Sequence, residues 1–107
     1  MAEEVSLTYK GHPLVRHGND IYYGAPGDPY VVYMQILGTE KKNGIDTANR
    51  VQVMLLSNAE GLNLMERIVR VSEKNSLYSA LDIGSIWYEK AILESAKQRS
   101  GTYLKIQ

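Results

Sequence analysis

The pair Asn43-Gly44 constrains the fold of this chain more than any other feature of the sequence. Asn-Gly between two runs that alternate in polarity is the strongest short-range marker of a β-hairpin, because both residues accept a positive φ. If the pair forms a two-residue loop, it aligns two long strands, Tyr30–Lys42 and Ile45–Ser57. The sequence therefore predicts a long hairpin at the centre of the chain.

This loop also predicts the register of the two strands. One face becomes wholly apolar, with the pairs Ile36 and Val51, Met34 and Val53, and Val32 and Leu55. The other face is mixed, with the pairs Lys41 and Asp46, Leu37 and Arg50, Gln35 and Gln52, and Tyr33 and Met54. A slip of one residue would turn every apolar side chain outward. We expect the apolar face in the core and the mixed face only partly covered, by a helix or a partner.

Shorter strands are predicted before the hairpin. Residues 6–10 alternate in polarity, and Gly11-His12-Pro13 turns the chain. Residues 14–17 and 21–23 flank Gly18-Asn19, which suits a type II′ turn, although a three-residue loop fits nearly as well. The two-residue loop places His17 opposite Asp20. Whichever loop forms, the neighbouring residues Tyr22 and Tyr23 point to opposite faces of the strand. Residues 25–29 contain two prolines and cannot continue a ladder, so they form a connection.

After residue 61, the spacing of the apolar residues changes from the alternation of a strand to the period of a helix. Asn63 and Glu66 match a capping box, which predicts a first helix to about Lys74. Ser76 is a suitable cap for a second helix to about Gln98, and Ser100-Gly101 then precedes a short, strand-prone tail. Gly84 in this helix costs about 1 kcal/mol relative to alanine, which indicates a close approach to another element.

These elements define an α+β fold: an antiparallel β-meander of about five strands followed by two helices packed on one sheet face. We expect residues 1–5 to be a flexible N-terminus, 6–99 a single α+β domain and 100–107 a C-terminal tail. A chain of 107 residues suffices for one core without staples.

Composition argues against several classes of function. Twelve basic residues balance twelve acidic ones, so nucleic acid is an unexpected partner. The cations Arg67, Arg70 and Lys74 would share one side of the first helix, but Glu66 and Glu73 interleave with them. No cysteine is present and no apolar run approaches ~18 residues, so we expect a cytoplasmic protein with no membrane partner.

No residue pattern indicates catalysis, a metal or a cofactor. His12 and His17 are the only histidines, and they have neither helical nor same-face strand spacing. The segment Gly24–Gly27 lacks the Lys-Ser/Thr ending of a phosphate loop, and a strand follows it. We therefore predict no catalytic residue, no metal ligand and no cofactor.

An interaction surface is the stronger prediction. The chain has eight tyrosines, one tryptophan and no phenylalanine, and Tyr suits half-wet surfaces. The apolar residues Ile86, Ile92 and Leu93 lie off the stripe of the second helix that would pack on the sheet, and a helix with two apolar sides is often covered twice. The candidate ligand or interface residues are Arg16, His17, Tyr22, Tyr23, Tyr30, Tyr33, Trp87 and Tyr88. Of these, Trp87 and Tyr88, with Tyr78 and Leu81, are expected to pack as core against the sheet.

Four segments resemble a family of short, uncharacterised proteins from Gram-positive anaerobic bacteria. They are YKGHPLVR at 9–16, NDIYYG at 19–24, ERIV at 66–69 and SLYSALDIGSIWYEKA at 76–91. The resemblance spans about residues 9–93 and implies a bacterial, intracellular, self-contained domain, but no catalytic residue or substrate.

The function expected from these observations is that of a small binding domain that forms a homodimer, with a further protein partner possible and no catalysis. The alternative is a regulatory domain that binds a small ligand or a nucleotide through Arg16 and the hairpin tyrosines Tyr22, Tyr23 and Tyr30.

Overall fold

The computed structural model contains one six-stranded antiparallel sheet with a long helix on one face. It describes the backbone of residues 4–25 and 27–105 and the side chains of 6–25 and 27–96. The strands lie side by side in chain order: β1 (Glu4–Tyr9), β2 (His12–His17), β3 (Asp20–Tyr23), β4 (Tyr30–Lys42), β5 (Ile45–Ser57) and β6 (Ile68–Lys74). Two helices, α1 (Leu64–Arg67) and α2 (Leu77–Lys105), flank β6 in the sequence. The predicted α+β meander is confirmed.

The central hairpin β4–β5 has the predicted bounds and turn. Asn43 and Gly44 adopt φ values of 53° and 80°, the left-handed conformations that a two-residue hairpin turn needs. The three apolar pairs of the inner face form as predicted, and so do the mixed pairs, with one exception. The residue opposite Arg50 is Gly38 rather than Leu37, so this predicted pair is wrong.

A local irregularity around Gly38 explains the exception. The register shifts on both sides of this residue and then returns to its original value. A Cβ atom on Gly38 would lie 2.7 Å from Asn49 Oδ1. Glycine therefore makes room for the Asn49 side chain, which donates a hydrogen bond to Glu40 Oε2 at 3.0 Å.

The first hairpin turns one residue earlier than predicted. Lys10 and Gly11 occupy the turn with φ values of 51° and 81°, and Pro13 lies inside β2. The Pro13 carbonyl accepts a hydrogen bond from Gly24 N at 2.9 Å, beyond the end of β3. The backbone N and C=O of one strand residue point to the same side, so the nitrogen of Pro13 also faces Gly24. Because Gly24 lies beyond the end of β3, the proline is tolerated at this end of the strand pair.

The β2–β3 hairpin follows the prediction. Gly18 has a φ of 65°, and Asn19 is not among the residues with positive φ, as a type II′ turn requires. His17 lies opposite Asp20, and Val15 lies opposite Tyr22.

The predicted helix from Asn63 to Lys74 is wrong beyond its first turn. The capping box forms, because Glu66 N donates to Asn63 Oδ1 at 2.9 Å and Asn63 N donates to Glu66 Oε1 at 3.0 Å. The helix nevertheless ends at Arg67, and β6 then pairs with β5. Ile68, Val69 and Val71 are β-branched, which favours a strand. The basic helix side predicted for Arg67, Arg70 and Lys74 therefore does not exist.

Helix α2 begins as predicted and continues further. Ser76 caps it by accepting a hydrogen bond from Ser79 N at 3.1 Å. The helix runs through Ser100 and Gly101 to Lys105, so the strand-prone tail predicted at 102–107 is wrong as far as residue 105, and residues 106–107 lie outside the described part.

The core lies between α2 and one face of the sheet. Its fully or nearly fully buried residues include Ile21, Tyr23, Val32, Met34, Ile36, Val51, Val53, Leu55, Ala80 and Tyr88. Gly84 lies at the closest contact, where a Cβ atom would be 3.0 Å from Val32 Cγ1 and 3.4 Å from Val53 Cγ2. This confirms the predicted close approach at Gly84. In the described part of the chain, no second helix like α2 covers the opposite face of the sheet, although Leu56 at one end of that face is buried; we call it the open face.

Candidate functional site

The structure distributes the eight candidate residues over three places rather than one. Tyr23 and Tyr88 lie in the core beneath α2. His17, Tyr22 and Tyr33 lie on the open face, because the strand register places them opposite to the buried residues. The last three, Arg16, Tyr30 and Trp87, line grooves beside α2.

Tyr23 is the centre of an aromatic cluster at one end of the core. Its ring meets those of Tyr9, His12 and Tyr88 edge to face, at centroid distances of 5.9, 5.8 and 5.2 Å. Its hydroxyl donates a hydrogen bond to the Tyr9 carbonyl at 2.9 Å. Burial is the largest of the effects that raise the pKa of Tyr23 to about 12, followed by the negative charge of Glu89 and then by Tyr9. The cluster stabilises the neutral phenol inside the fold.

The connection between β3 and β4 is fastened to this cluster. The Tyr88 hydroxyl donates to the Asp28 carboxylate, which also accepts from Ala25 N at 3.1 Å. Gly24 has a φ of 126°, and a Cβ atom there would lie 2.6 Å from the Tyr88 ring. Asn58 Nδ2 donates to the Asp28 carbonyl at 2.9 Å. Contacts with Tyr88 therefore account for both Gly24 and Asp28, which hold this connection in place.

The open face carries an apolar row that crosses five strands. Successive pairings bring together, from β2 to β6, Val15, Tyr22, Tyr33, Met54 and Val71. At ~4.8 Å between strands the row is about 19 Å long. Tyr22 and Val71 are 45% and 55% exposed, and the members between them are half-buried. We call these five residues the apolar row.

Two stacked tyrosines form the middle of the apolar row. The rings of Tyr22 and Tyr33 lie 5.1 Å apart at an angle of 27°. The Tyr33 hydroxyl donates to Asp20 Oδ1 at 2.6 Å. The pKa of Tyr33 is raised to about 12 by burial first, then by the hydrogen bond and charge of Asp20, and by Tyr22. The stack and the hydrogen bond hold the Tyr33 ring in one orientation.

A parallel row of polar residues borders the apolar row. It contains, strand by strand, His17, Asp20, Gln35, Gln52 and Glu73. Arg50 Nε lies 3.1 Å from Glu73 Oε2, so one end of this polar row is an ion pair. An apolar centre beside a polar border is the usual anatomy of a protein interface.

The outer side of α2 is a second exposed apolar feature. Ile86 and Leu93 are 48% and 56% exposed, as predicted for the second apolar side, whereas Ile92 is half-buried against the core. Tyr78 was predicted in the core with Trp87, Tyr88 and Leu81, but its side chain is 74% exposed. Trp87 is half-buried, and the Arg70 guanidinium lies 5.9 Å from its ring centroid.

The sequence did not single out His12, Asp28 or Val71 as parts of these groups. His12 contacts Tyr88 at a centroid distance of 4.9 Å only because β2 begins two residues earlier than predicted. Val71 joins the open face because residues 68–74 form a strand. The β-branched run at 68–71 was the signal that could have found it.

Among the described side chains, those of residues 6–25 and 27–96, no three His, Asp or Glu groups lie close enough together to hold a metal ion. None of the helices in this part of the chain is both long and apolar enough to span a bilayer.

Comparisons with protein-family models, with curated proteins and with solved structures give no match to this chain. The resemblance to short proteins of Gram-positive anaerobes therefore stays a prediction.

Proposed function

We propose that this chain is a small, non-catalytic bacterial binding domain that forms a homodimer through its open sheet face. The observation that carries the proposal is the apolar row, with its Tyr22–Tyr33 stack at the centre and no described element above it. Aromatic residues are enriched at the centres of interfaces, where they contribute large contact areas. Two copies stacked face to face would bury the row as an antiparallel sheet sandwich does.

The surface area of the chain supports association. The chain exposes 7401 Å², whereas a folded monomer of this mass exposes about 6,000 Å². The excess is larger than the ~800 Å² that each partner buries in a standard interface.

Electrostatics do not oppose the pairing of identical copies. The formal net charge is zero, so two copies experience no long-range repulsion. Glu73 of the polar row is paired with Arg50 beside it, so the charge at this end of the row is balanced, and the row can form a wet rim along the apolar centre.

Binding without catalysis is favoured over an enzyme by the placement of the titratable groups. His12 lies on the α2 side of the sheet and His17 on the open face, so the two cannot act on one substrate. We further propose a cytoplasmic location, which agrees with a chain that contains no cysteine. The row could also receive a different protein.

The test compares two substitutions of equal exposure on different surfaces. Tyr22→Glu places a charge in the apolar row, and Ile86→Glu places one on the outer side of α2; the two native side chains are 45% and 48% exposed. Light scattering at low micromolar concentration measures the mass. We expect about twice 12.0 kDa for the wild type and for Ile86→Glu, and the monomer mass for Tyr22→Glu.

A second variant tests the same surface in case Tyr22→Glu does not fold. Val71→Lys charges the far end of the row on an edge strand, where a lysine is well tolerated. Circular dichroism establishes that each variant is folded. A wild-type protein that is a 12.0 kDa monomer overturns the proposal, and so does a dimer that survives Tyr22→Glu and Val71→Lys but not Ile86→Glu.

A further inference from the structure

A groove on the α2 side of the sheet, away from the open face, has the properties of a small-molecule site. Helix α2 packs mainly on β4 and β5, and a cavity of about 250 Å³ remains between its first turns and the N-terminal strands. Six apolar side chains line this cavity: Leu7, Leu14, Ile21, Met34, Leu77 and Leu81. Ile21 and Met34 are fully or nearly fully buried and form its floor, whereas Leu7 on the edge strand is 59% exposed at its mouth.

Among the described residues, Arg16 is the only charged one that lines the apolar groove. Its Nε donates to the Gly18 carbonyl at 2.9 Å, which fixes the guanidinium against the β2–β3 turn. The hydrogen bonds of the described residues give its terminal nitrogens no acceptor. These two nitrogens form the planar fork that pairs with a carboxylate through two parallel hydrogen bonds.

The same arginine also lines a neighbouring polar cavity of about 630 Å³. Asn19, Thr47 and Ser76 contribute polar groups there, and Leu77 begins the 29-residue helix α2. The positive end of a helix dipole lies at its N-terminus and favours a negative charge nearby, in addition to Arg16. Arg16 therefore lies at the boundary between the apolar cavity and a polar cavity that Asp46 also lines.

We propose that the groove binds an amphipathic monocarboxylate, with its apolar chain in the 250 Å³ cavity and its carboxylate on Arg16. At ~30 Å³ per water-sized group the cavity holds about eight such groups, which fits a chain of about eight heavy atoms. One arginine neutralises one carboxylate. A phosphate monoester carries a charge of ~−1.5 to −2, and the excess would face the Asp46 carboxylate across the polar cavity.

This proposal is distinct from the ligand site expected from the sequence. Arg16 and Tyr22 lie on opposite faces of the sheet, so the hairpin tyrosine cannot share a ligand with the arginine. It is also independent of dimer formation, because the apolar row lies on the other side of the sheet.

Isothermal titration with sodium octanoate, below its micellar range, tests the proposal. Octylamine has the same chain with the opposite charge, and acetate has the head group without the chain. We expect octanoate to bind saturably, and we expect no binding of octylamine or acetate. Arg16→Met should weaken octanoate binding at least about tenfold, since the charged hydrogen bonds are lost. Lys42→Met, which removes a cation at the hairpin tip, should change it less than twofold.

Two further variants make the result specific to the groove. Leu7→Glu places a carboxylate at the mouth, on an exposed edge-strand position, and should weaken octanoate binding about as much as Arg16→Met. Tyr22→Glu should leave octanoate binding unchanged even where it abolishes the dimer. Octanoate that fails to saturate the protein overturns the proposal. So does equal binding of octylamine, or an affinity that Arg16→Met and Leu7→Glu leave intact.

Discussion

Tyr22 and Tyr23 are neighbours of the same residue type, yet they belong to different regions of the molecule. Tyr23 is fully buried among Tyr9, His12 and Tyr88 on the face that α2 covers. Tyr22 stacks on Tyr33 on the open face and remains 45% exposed. The two-residue period of the strand separates them, and only one side has an element of the same chain to pack against.

This difference assigns a separate role to each face. The covered face contains the core, and its buried polar side-chain atoms have partners, such as the Tyr9 carbonyl for the Tyr23 hydroxyl. The open face repeats the aromatic and aliphatic character of a core but lacks its cover. We infer that the covered face provides stability and the open face provides association.

The largest expected effect comes from truncating the two tyrosines separately. Tyr23→Ala removes a fully buried ring and should lower the free energy of unfolding by about 3–5 kcal/mol. Tyr22→Ala removes a half-exposed ring and should cost about 1 kcal/mol or less at a concentration where the protein is monomeric. Urea denaturation of dilute protein measures both. Equal losses of unfolding free energy in the two variants would contradict the different roles assigned to the two faces.

Alkaline pH should reveal the buried phenols on both faces. The pKa values of Tyr23 and Tyr33 are raised from 10.0 to about 12, so the folded state holds their protons more tightly than the unfolded state does. Their contribution is fully present below pH 10 and is lost as the pH rises to about 12. A rise of about two pKa units corresponds to at most about 3 kcal/mol for Tyr23.

The variant Tyr23→Phe isolates this effect. It should flatten the fall of the free energy of unfolding between pH 10 and 12, because the buried phenol with the raised pKa is no longer present. Denaturation at several alkaline pH values, with ultraviolet titration of phenolate, provides the measurement. An identical pH dependence in wild type and Tyr23→Phe would contradict the assigned environment of Tyr23.

The smallest expected effect concerns the hydrogen bond that orders the open face. Asp20→Asn weakens the acceptor for the Tyr33 hydroxyl and should lower the free energy of unfolding by about 1 kcal/mol. It should also lower the pKa of Tyr33 without restoring its ordinary value, because burial is the larger cause. Asp46→Asn, at an exposed position near the hairpin tip, is the matched control. A loss of stability no greater than that of the control would mean that this bond does not order the face.

The sequence predicted the part of the fold that local chemistry determines. Asn43-Gly44 defined one turn, and the alternation of polarity extended that register along both strands except at the irregularity around Gly38. The capping box at Asn63 was also correct, but it specifies only where a helix begins. The free edge of β5 then gave Ile68 and Val71 strand partners, and this tertiary pairing prevailed over helical periodicity.

The candidate site was less predictable because it depends on neighbours distant in the sequence. Alternation was enough to separate Tyr22 from Tyr23. It could not bring Val71 into line with Tyr22, since this needs the order of five strands. The groove beside Arg16 likewise needs the path of α2 across the sheet, which no local pattern encodes.

The central claim, that the open face is the association surface, can be tested with single cysteines in this cysteine-free chain. Val71 in the apolar row and Leu93 on the outer side of α2 are 55% and 56% exposed, so Val71→Cys and Leu93→Cys begin with equal access to an alkylating reagent. The alkylation rate is measured from low micromolar protein to about 100 µM. We predict that the rate at Cys-substituted position 71 falls several-fold over this range while the rate at position 93 stays constant. A rate that falls only at position 93, or at neither position, would contradict the account.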